Sequence, residues 1–356
     1  MPIVEIPLMR RLVEAILRNC GQDETDARVT ANWLIEADLR KVHSHGLARL
    51  PTYVRCFGDG IMNPRPKMSV STLRAGATHI DGGDGIGAVV ASRAMTETLG
   101  KARQTGSATT LVMRSSHYGM ASYFLKPALD EGMIAITGSN GPPTMAPWGA
   151  RDAALGTNPL AIGFPGGDRY GSLVLDMATS TVARGKIKVI AQEGGTLPEG
   201  WALDRSGAPT CDPRAALEGV VLPFAGAKGS GLAAAIDILA GVVSGASFGL
   251  AAGNVNNPEK KPVNLGHFFI VIDTAAFLPA EDYRSRFDQF ISMLKSAAPA
   301  PGFDSVSFPG ERSEQTRRQS LETGLQLSES VLRDLTQLAS EVPELAGLPA
   351  EWHLTG

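Results

Sequence analysis

The hydrophobic positions at the start of the chain recur at the spacing of a helix. Leu12 and Ile16 lie four residues apart on one face, and Gly21 follows them as a stop signal. Asp23 is a suitable N-cap for a second helix, which carries Leu34 in its apolar stripe and ends near residue 41. The pattern therefore predicts two helices at the start of the chain.

A third helix is predicted over residues 44–57, where Gly58 and Gly60 end the apolar pattern. Pro51 would lie within the first two turns of this helix. An interior proline removes a backbone hydrogen bond and clashes with the preceding turn. The predicted start of this helix therefore conflicts with its own sequence.

From residue 75 to residue 300 the pattern changes to short apolar strands that alternate with helices and with loops rich in glycine and proline. The predicted strands cover 109–113, 133–137, 160–164, 173–177 and 268–272. The predicted helices cover 86–104, 120–131, 229–243 and 281–296. The long polar stretch 192–217 is predicted to be a loop. This α/β pattern lacks the regular βαβ alternation of a parallel sheet.

The tail, 309–348, returns to a helical pattern, with Ser328 as a suitable N-cap. We expect the tail to pack on the N-terminal helices and so complete one discontinuous helical domain. The chain is thus divided into a helical N-terminal segment 1–74, an α/β core 75–300 and a C-terminal segment 301–356.

Composition narrows the class of protein. The 356 residues are 43% hydrophobic and 19% charged, as in globular proteins of two or three domains. A net charge of −3 provides no basic field for nucleic acid. The cysteines, three in number and without CxxC spacing, argue against a disulfide framework or a zinc site and fit a reducing compartment. Without a signal-type region or a long apolar run, we expect a cytoplasmic protein that does not bind membranes.

The first candidate chemistry lies at Ser44, His45 and Arg49. If a helix begins here, His45 and Arg49 share a face. An arginine grips a carboxylate through two parallel bonds, and a neighbouring histidine can pass a proton to a carbonyl oxygen. Ser44 could orient the imidazole ring. The same residues can instead be a helix cap and a surface charge, and spacing alone favours this structural interpretation over a site.

Two further positions have both a functional and a structural interpretation. His117 follows an apolar strand and precedes Gly119, so it is either a ligand-facing group at a strand-to-helix turn or a cap of the strand end. Lys228 and Gly229 open a helix and suit a phosphate, although the P-loop spacing is missing and a packing turn is the alternative. The glycine cluster 81–87 departs from the dinucleotide fingerprint, and a turn before a helix is favoured.

The order of motifs along the chain resembles the type-2 malate/L-lactate dehydrogenase family over residues 5–345. The motifs are SHGLARLPTYV, SSHYGMASYF, APWGARDAALGTNPLAIGFP, DMATSTVARGKI, KGSGLAAAIDILAGVVSGA, NLGHFF and PGE. The resemblance implies an α/β fold distinct from the Rossmann type, with a cofactor domain inserted into a helical domain. It also implies NAD or NADP as the cofactor, no metal, a small carboxylate substrate, and a homodimer whose partner completes the active site.

The resemblance also assigns roles to individual positions. His45 would be the proton donor with Ser44 as its relay partner, and Arg49 would bind the substrate carboxylate. His117 would border the nicotinamide, and some relatives give it a catalytic role. The other substrate-contacting positions are Thr157, Arg184 and Gly185. The cofactor-contacting positions are His117, Tyr118, Gly119, Met120, Ala121, Asp176, Met177, Ala178, Lys228, Gly229, Gly310, Glu311 and Arg312.

One departure from the family pattern bears on the substrate. In the cyclic-imine reductases of the family an acidic residue follows the Arg-Gly pair, whereas Lys186 stands there in this chain. Lysine has donors and no acceptor, so the difference favours a 2-oxoacid/2-hydroxyacid couple. An NADPH-dependent reductase of a cyclic imine carboxylate is the alternative. A catalytically inactive nucleotide-binding protein is a second alternative, which the retained proton-transfer residues argue against.

The choice of cofactor has its own candidate residues. Ser313, Arg317 and Arg318 follow the PGE motif and could meet an adenosine 2′-phosphate. Arginines on a surface helix are also commonly just solvated, so the sequence leaves NAD and NADP open.

Overall fold

A computed structural model describes residues 2–256 and 259–345 of the chain. The α-helices are α1 (Ile6–Asn19), α2 (Glu24–Leu39), α3 (Leu50–Gly58), α4 (Gly87–Thr105), α5 (Lys126–Asp130), α6 (Arg184–Glu193), α7 (Pro213–Glu218), α8 (Ala227–Asp237), α9 (Ala280–Lys295), α10 (Glu311–Thr323) and α11 (Glu329–Ser340). The strands are β1 (Ile3–Val4), β2 (Ser69–Arg74), β3 (Ala77–Asp81), β4 (Ser107–Ser115), β5 (Met133–Ser139), β6 (Leu160–Phe164), β7 (Leu173–Met177), β8 (Ala202–Leu203), β9 (Val220–Val221), β10 (Leu265–Asp273) and β11 (Leu325–Gln326).

The centre of the molecule is a seven-stranded sheet in the order β2-β3-β4-β10-β5-β6-β7. Only β3 and β4 pair in parallel, and every other neighbouring pair in this sheet is antiparallel. A Rossmann sheet is mostly parallel with a regular crossover order. The prediction of an α/β fold distinct from the Rossmann type is therefore confirmed.

The helices at the two ends of the chain pack together beside this sheet. Strand β1 pairs with β11 near the other end of the chain, with Ile3 opposite Gln326. Helix α11 contacts α1 and α3, and its Leu335 is buried in the main hydrophobic core. The predicted N-caps Asp23 and Ser328 both accept hydrogen bonds from the first turn of their helices. Residues 346–348 of the predicted tail helices lie outside the described residues.

The predicted third helix, 44–57, is wrong at its start. Residues His43–His45 and Leu47–Arg49 form two short 3-10 turns, and α3 begins only at Leu50. This arrangement puts Pro51 in the first turn of α3, where its missing N–H removes no helical hydrogen bond. The conflict seen in the sequence is therefore resolved by a later helix start.

Other predicted elements are correct in place but differ in form. The helix 120–131 is a 3-10 turn, Ala121–Leu125, followed by the short α5, whose first turn contains a proline. The helix 229–243 changes from α8 to a π-helical segment, Ile238–Val243. The sequence missed the helix α6 and the strands β1, β2, β3, β9 and β11. Within 192–217, predicted to be a loop, lie β8 and most of α7.

The glycine cluster 81–87 forms the predicted turn, and α4 follows it from Gly87. Within the described ranges, no helix has both the length and the apolar character needed to cross a bilayer.

Candidate functional site

A cleft of about 1400 Å³ opens between the N-terminal helical segment, the sheet and α10. Its walls come from the two 3-10 turns after α2, the segment after β4 and the loops that follow β5, β6 and β7. The first turn of α6 and the start of α10 complete them. The cleft thus draws together segments that are far apart in sequence.

Two histidines face each other in this cleft. The rings of His45 and His117 are stacked, with centroids 5.7 Å apart and an interplanar angle of 18°. The His45 Nδ1 lies 3.0 Å from Ser44 Oγ, and the His117 Nδ1 lies 2.8 Å from Tyr53 Oη. Neither Nε2 atom has a hydrogen-bonding partner in the part of the chain that the structure describes. Both rings therefore offer one free nitrogen.

Burial keeps both imidazoles neutral. Loss of solvent, together with the nearby positive charge of Arg49, lowers the pKa of His45 to about 4. The pKa of His117 is lowered well below its usual value by burial, and further by Arg49, His45 and His267. At neutral pH, neutral imidazoles can accept protons, and an anionic ligand would favour their charged forms.

Arg49 lies beside the two histidines. Its Nε donates to the carbonyl oxygen of Ser44 at 2.8 Å, which fixes the guanidinium against the 3-10 turn. Neither terminal nitrogen has a protein partner among the described residues, so the group is free to bind a carboxylate. His45 and Arg49 come together through two consecutive 3-10 turns, and not through the α-helical face that the sequence predicts.

The segment after β4 is held against the helical part of the molecule. Trp33 Nε1 on α2 donates to the carbonyl oxygen of Tyr118 at 3.0 Å. Gly119 has a φ of +63°, and a Cβ there would lie 2.3 Å from the Trp33 ring. Only glycine fits this approach, which brings bare backbone to the cleft wall.

His267 supports the same segment from the sheet, a role that the sequence did not predict. Its ring is stacked on Tyr118, with centroids 4.5 Å apart. Its two ring nitrogens lie 2.9 Å from Ser139 Oγ and 2.7 Å from Ser115 Oγ. Burial lowers the pKa of His267 to about 3. His267 is the histidine of the NLGHFF motif, and this motif was the signal in the sequence that could have indicated its role.

The predicted substrate-contacting residues Thr157, Arg184 and Gly185 also line the cleft. The carbonyl oxygen of Thr157 accepts hydrogen bonds from the N–H and the hydroxyl of Thr179. Arg184 donates to the carbonyl oxygens of Leu217 and Gly219, at 2.6 and 3.2 Å. These bonds hold α6 against the end of α7.

Another wall of the cleft carries several ion pairs. Glu36 on α2 accepts from Arg40 at 2.9 Å and from Arg317 on α10 at 2.7 Å. Arg40 also pairs with Glu314, at 3.0 Å. Arg318 is 73% exposed and lies 3.5 Å from Glu314. The sequence indicated the arginines of α10 and missed Glu36 and Arg40. The ion pairs of Glu36 and Arg40 with α10 join residues 281 and 274 positions apart, which no local pattern reveals.

Most of the predicted site residues come together in the cleft. Those that line it are Ser44, His45, Arg49, His117, Tyr118, Gly119, Met120, Thr157, Asp176, Met177, Ala178, Arg184, Gly185, Gly310 and Glu311. Those that do not line it are Ala121, Lys228, Gly229 and Arg312. Lys228 is exposed at the start of α8, and the backbone of Gly229 lies against Phe224. Lys228 and Gly229 therefore lie outside the cleft of the single chain, and their contact with a phosphate stays a prediction.

Comparison with known proteins identifies the family of this chain. The family model described as malate/L-lactate dehydrogenase matches residues 4–336. The chain is 36% identical to the L-sulfolactate dehydrogenase of Methanocaldococcus jannaschii over 94% of this chain and 95% of that relative. It is 37% identical to the malate dehydrogenase of Pyrococcus horikoshii, over 92% of each.

Solved structures are similar over nearly the whole length. The M. jannaschii sulfolactate dehydrogenase matches with a TM-score of 0.91 and 34% identity, over 98% of this chain and 99% of that one. The Δ1-piperideine-2-carboxylate reductase of Pseudomonas syringae matches with a TM-score of 0.84 and 29% identity, over 95% and 100%. The chain therefore belongs to the malate/L-lactate dehydrogenase family of oxidoreductases.

Proposed function

We propose that this protein interconverts a small 2-oxoacid and the corresponding 2-hydroxyacid with NAD or NADP. The observation that carries the proposal is the group formed by His45, His117 and Arg49. Two free imidazole nitrogens lie beside a guanidinium whose terminal nitrogens have no protein partner in the described part of the chain. This arrangement suits a substrate whose carboxylate is next to the carbon that reacts.

The cleft fits a nicotinamide dinucleotide in addition to a small acid. Its volume of about 1400 Å³ exceeds the roughly 300–1,000 Å³ typical of a site for one drug-sized ligand. Gly119 and Gly310 have positive φ angles and present bare backbone to it. Gly310 is the N-cap of α10, and no side chain of the described residues caps the first turn of this helix, which suits a phosphate. When bound, the dinucleotide would supply or accept the hydride at the substrate carbon.

The chain's own residues would bind the substrate and move the proton. Arg49 would hold the carboxylate and so orient the neighbouring carbon toward the dinucleotide. In reduction, His45 would deliver a proton to the substrate oxygen as charge develops on it, and in oxidation the neutral ring would remove that proton. Ser44 would keep the ring oriented through its contact with Nδ1.

The position of Lys186 favours a hydroxyacid over a cyclic imine. Its ammonium lies 5.2 Å from the ring centroid of Trp201 and does not line the cleft. No carboxylate stands at this position to complete a relay with Ser44 and His45. The likeness to the piperideine carboxylate reductase keeps imine reduction as the second candidate.

A second copy of the chain is the proposed partner. An apolar surface of the π-helical segment and the turn after it, here called the 238–250 patch, has exposed fractions between 39% and 76%. It consists of Ile238, Leu239, Val242, Val243, Phe248 and Leu250. Contiguous exposed apolar surface marks an interaction site in proteins that function in water. A homodimer that uses this patch agrees with the resemblance described above.

A turnover assay tests the proposed reaction. Pyruvate, oxaloacetate, sulfopyruvate and Δ1-piperideine-2-carboxylate are each offered with NADH and with NADPH. We expect an oxoacid to be reduced and the imine to be turned over far more slowly. Turnover of the imine alone would favour the second candidate, and no turnover of any of them with either cofactor would contradict the proposed function.

Arg49→Lys tests the binding of the carboxylate. An ammonium is a point charge without the planar fork, so we expect a higher KM and a lower kcat, with kcat/KM reduced by roughly 10²-fold. Arg65→Lys is the matched control, because Arg65 donates to the carbonyl oxygen of Gly21 and lies outside the cleft. Equal kinetics for wild type and Arg49→Lys would remove Arg49 from the site.

A further inference from the structure

The segment that carries Ser44 and His45 is attached at both ends to one buried carboxylate. Asp38, in the last turn of α2, has a side chain that is only 2% exposed. Its Oδ1 accepts a hydrogen bond from His43 Nδ1, and its Oδ2 accepts one from the backbone N–H of Leu47, both at 2.7 Å. Because a carboxylate only accepts, the Nδ1 atom of His43 carries the proton.

The chain between these two attachments lies against the carboxylate. A Cβ at position 46 would lie 2.3–2.4 Å from three atoms of the Asp38 carboxyl group. Only Gly46 permits this approach. Ser44 and His45 line the cleft, whereas His43 does not, so the segment points its reactive side chains away from Asp38.

The local backbone is too short to fix these side chains by itself. Ser44 and His45 belong to a three-residue 3-10 turn whose bonds are His45 N to Val42 O and Gly46 N to His43 O. Hydrogen bonds of 3-10 type are poorer than those of an α-helix, and such turns are short. Hydrogen bonds to a buried charge are stronger and leave little freedom, because breaking them would leave that charge unpaired.

We propose that Asp38 is a positioning residue that acts through His43 and the Leu47 amide. It holds the Ser44–His45 pair at its stacking distance from His117 and thereby controls turnover without touching substrate or dinucleotide. The effect on turnover rests on the function proposed above, whereas the effect on the position and pKa of the His45 ring does not.

A pair of His43 variants separates positioning from general stability. His43→Leu removes the donor to Asp38, and His43→Asn keeps an N–H group near the place of Nδ1. For His43→Leu we expect kcat to fall about tenfold, which is less than the roughly 10²-fold loss that a 1 Å misplacement can cause. The dissociation constant for the dinucleotide should be unchanged. His43→Asn should retain most of the wild-type kcat.

His79→Leu is the matched control. His79 Nε2 lies 2.7 Å from the carbonyl oxygen of Ser244, and the residue does not line the cleft. This variant therefore loses a histidine contact of the same kind elsewhere, and its kcat should stay at the wild-type value. An equal loss of kcat in His79→Leu, or in His43→Asn, would overturn the proposal.

Titration of His45 by NMR of the full chain, labelled at histidine Cε1, is independent of turnover. The groups that face His45 are the Ser44 hydroxyl, Arg49 and the ring of His117, which in turn contacts Tyr53. In His43→Leu the freed segment lets water reach the ring, so the pKa of His45 should rise from about 4 toward 6.5. In His43→Asn and His79→Leu, the pKa of His45 should stay at its wild-type value.

An unchanged His45 titration in His43→Leu would overturn the positioning role, whatever the kinetics show. If the wild-type protein reduces no oxoacid or imine, the proposed function fails, and the titration still decides whether Asp38 and His43 position His45.

Discussion

His45 and His117 are held by different hydroxyl groups, and the difference separates their roles. Burial raises the pKa of Tyr53, so its phenol keeps its proton and can donate it to His117 Nδ1. His117 would then present an Nε2–H donor to the cleft, suited to polarising a carbonyl. Ser44 can accept from His45 Nδ1, which leaves the His45 Nε2 lone pair as the base for oxidation.

Removing His45 should affect the chemical step. We expect His45→Ala to lower kcat by about 10²–10⁴-fold, the usual contribution of a positioned acid or base. The dissociation constant for the dinucleotide, measured by fluorescence, should stay nearly unchanged. His45→Asn should not restore activity, since asparagine can hydrogen-bond but cannot deliver a proton. Near-normal turnover in both His45→Ala and His117→Ala would contradict the mechanism.

The pH dependence of kcat/KM provides a second measurement on the same residue. With a pKa of about 4, free His45 is neutral at pH 7. Oxidation needs the neutral ring, so its kcat/KM should be flat above about pH 5 and fall below it. Reduction needs the proton, so its kcat/KM should fall as pH rises above 4, by up to about tenfold per unit. This slope should vanish in His45→Ala and persist in His117→Ala, and the reverse result would assign the proton to His117.

At the scale of elements, one glycine determines how the segment after β4 meets α2. Gly119 combines a left-handed backbone with contact against Trp33, whose indole N–H also binds the neighbouring Tyr118 carbonyl. The cleft wall at residues 118–120 is therefore fixed by packing on a helix from the other end of the sequence.

Gly119→Ala should destabilise the fold and loosen this wall. A left-handed backbone costs about 1–2 kcal/mol for a residue with a Cβ, and overpacking against Trp33 adds about 1–3 kcal/mol. Gly132→Ala is the matched control, because Gly132 has a φ of +74° and open space around its Cβ position. Urea unfolding should give a clearly larger loss for Gly119→Ala, together with weaker dinucleotide binding. Equal losses in the two variants would show that contact with Trp33 is unimportant.

At the scale of the whole molecule, the 238–250 patch exposes six large apolar side chains within a short stretch of the chain. Its helical part has the i→i+5 hydrogen bonding of a π-helix, which brings Ile238 and Val243 to one side. Gly241 lies against Phe248, so the helix and the following turn form one continuous apolar surface.

Charges placed in the patch should separate the proposed dimer. We expect Val243→Asp and Leu250→Asp to shift the molar mass, measured by light scattering at micromolar concentration, from two chains to one. Activity should fall as well if the partner completes the site. Phe303→Asp is the control, since Phe303 is an exposed apolar residue outside the patch. A wild-type monomer, or variants that remain dimeric, would exclude this interface.

The sequence by itself determined the elements whose signals are local. Strands β6 and β7 have the predicted bounds, 160–164 and 173–177, because short apolar runs between turn residues specify strands directly. The N-caps Asp23 and Ser328 bind the next turn of their own helices, so they too could be predicted. The order of motifs indicated the family, and most of the site residues that it implied line the cleft.

Only the tertiary structure decided how those residues meet. The 3-10 turns at His45 and Arg49 replace the predicted helix because Pro51 favours a first-turn position and because Asp38 holds the chain at His43 and Leu47. The stacking of His45 on His117 joins residues 72 positions apart, and the ion pair of Arg317 with Glu36 joins residues 281 positions apart. Such contacts depend on packing between distant elements, which no local pattern of hydrophobic and polar residues encodes.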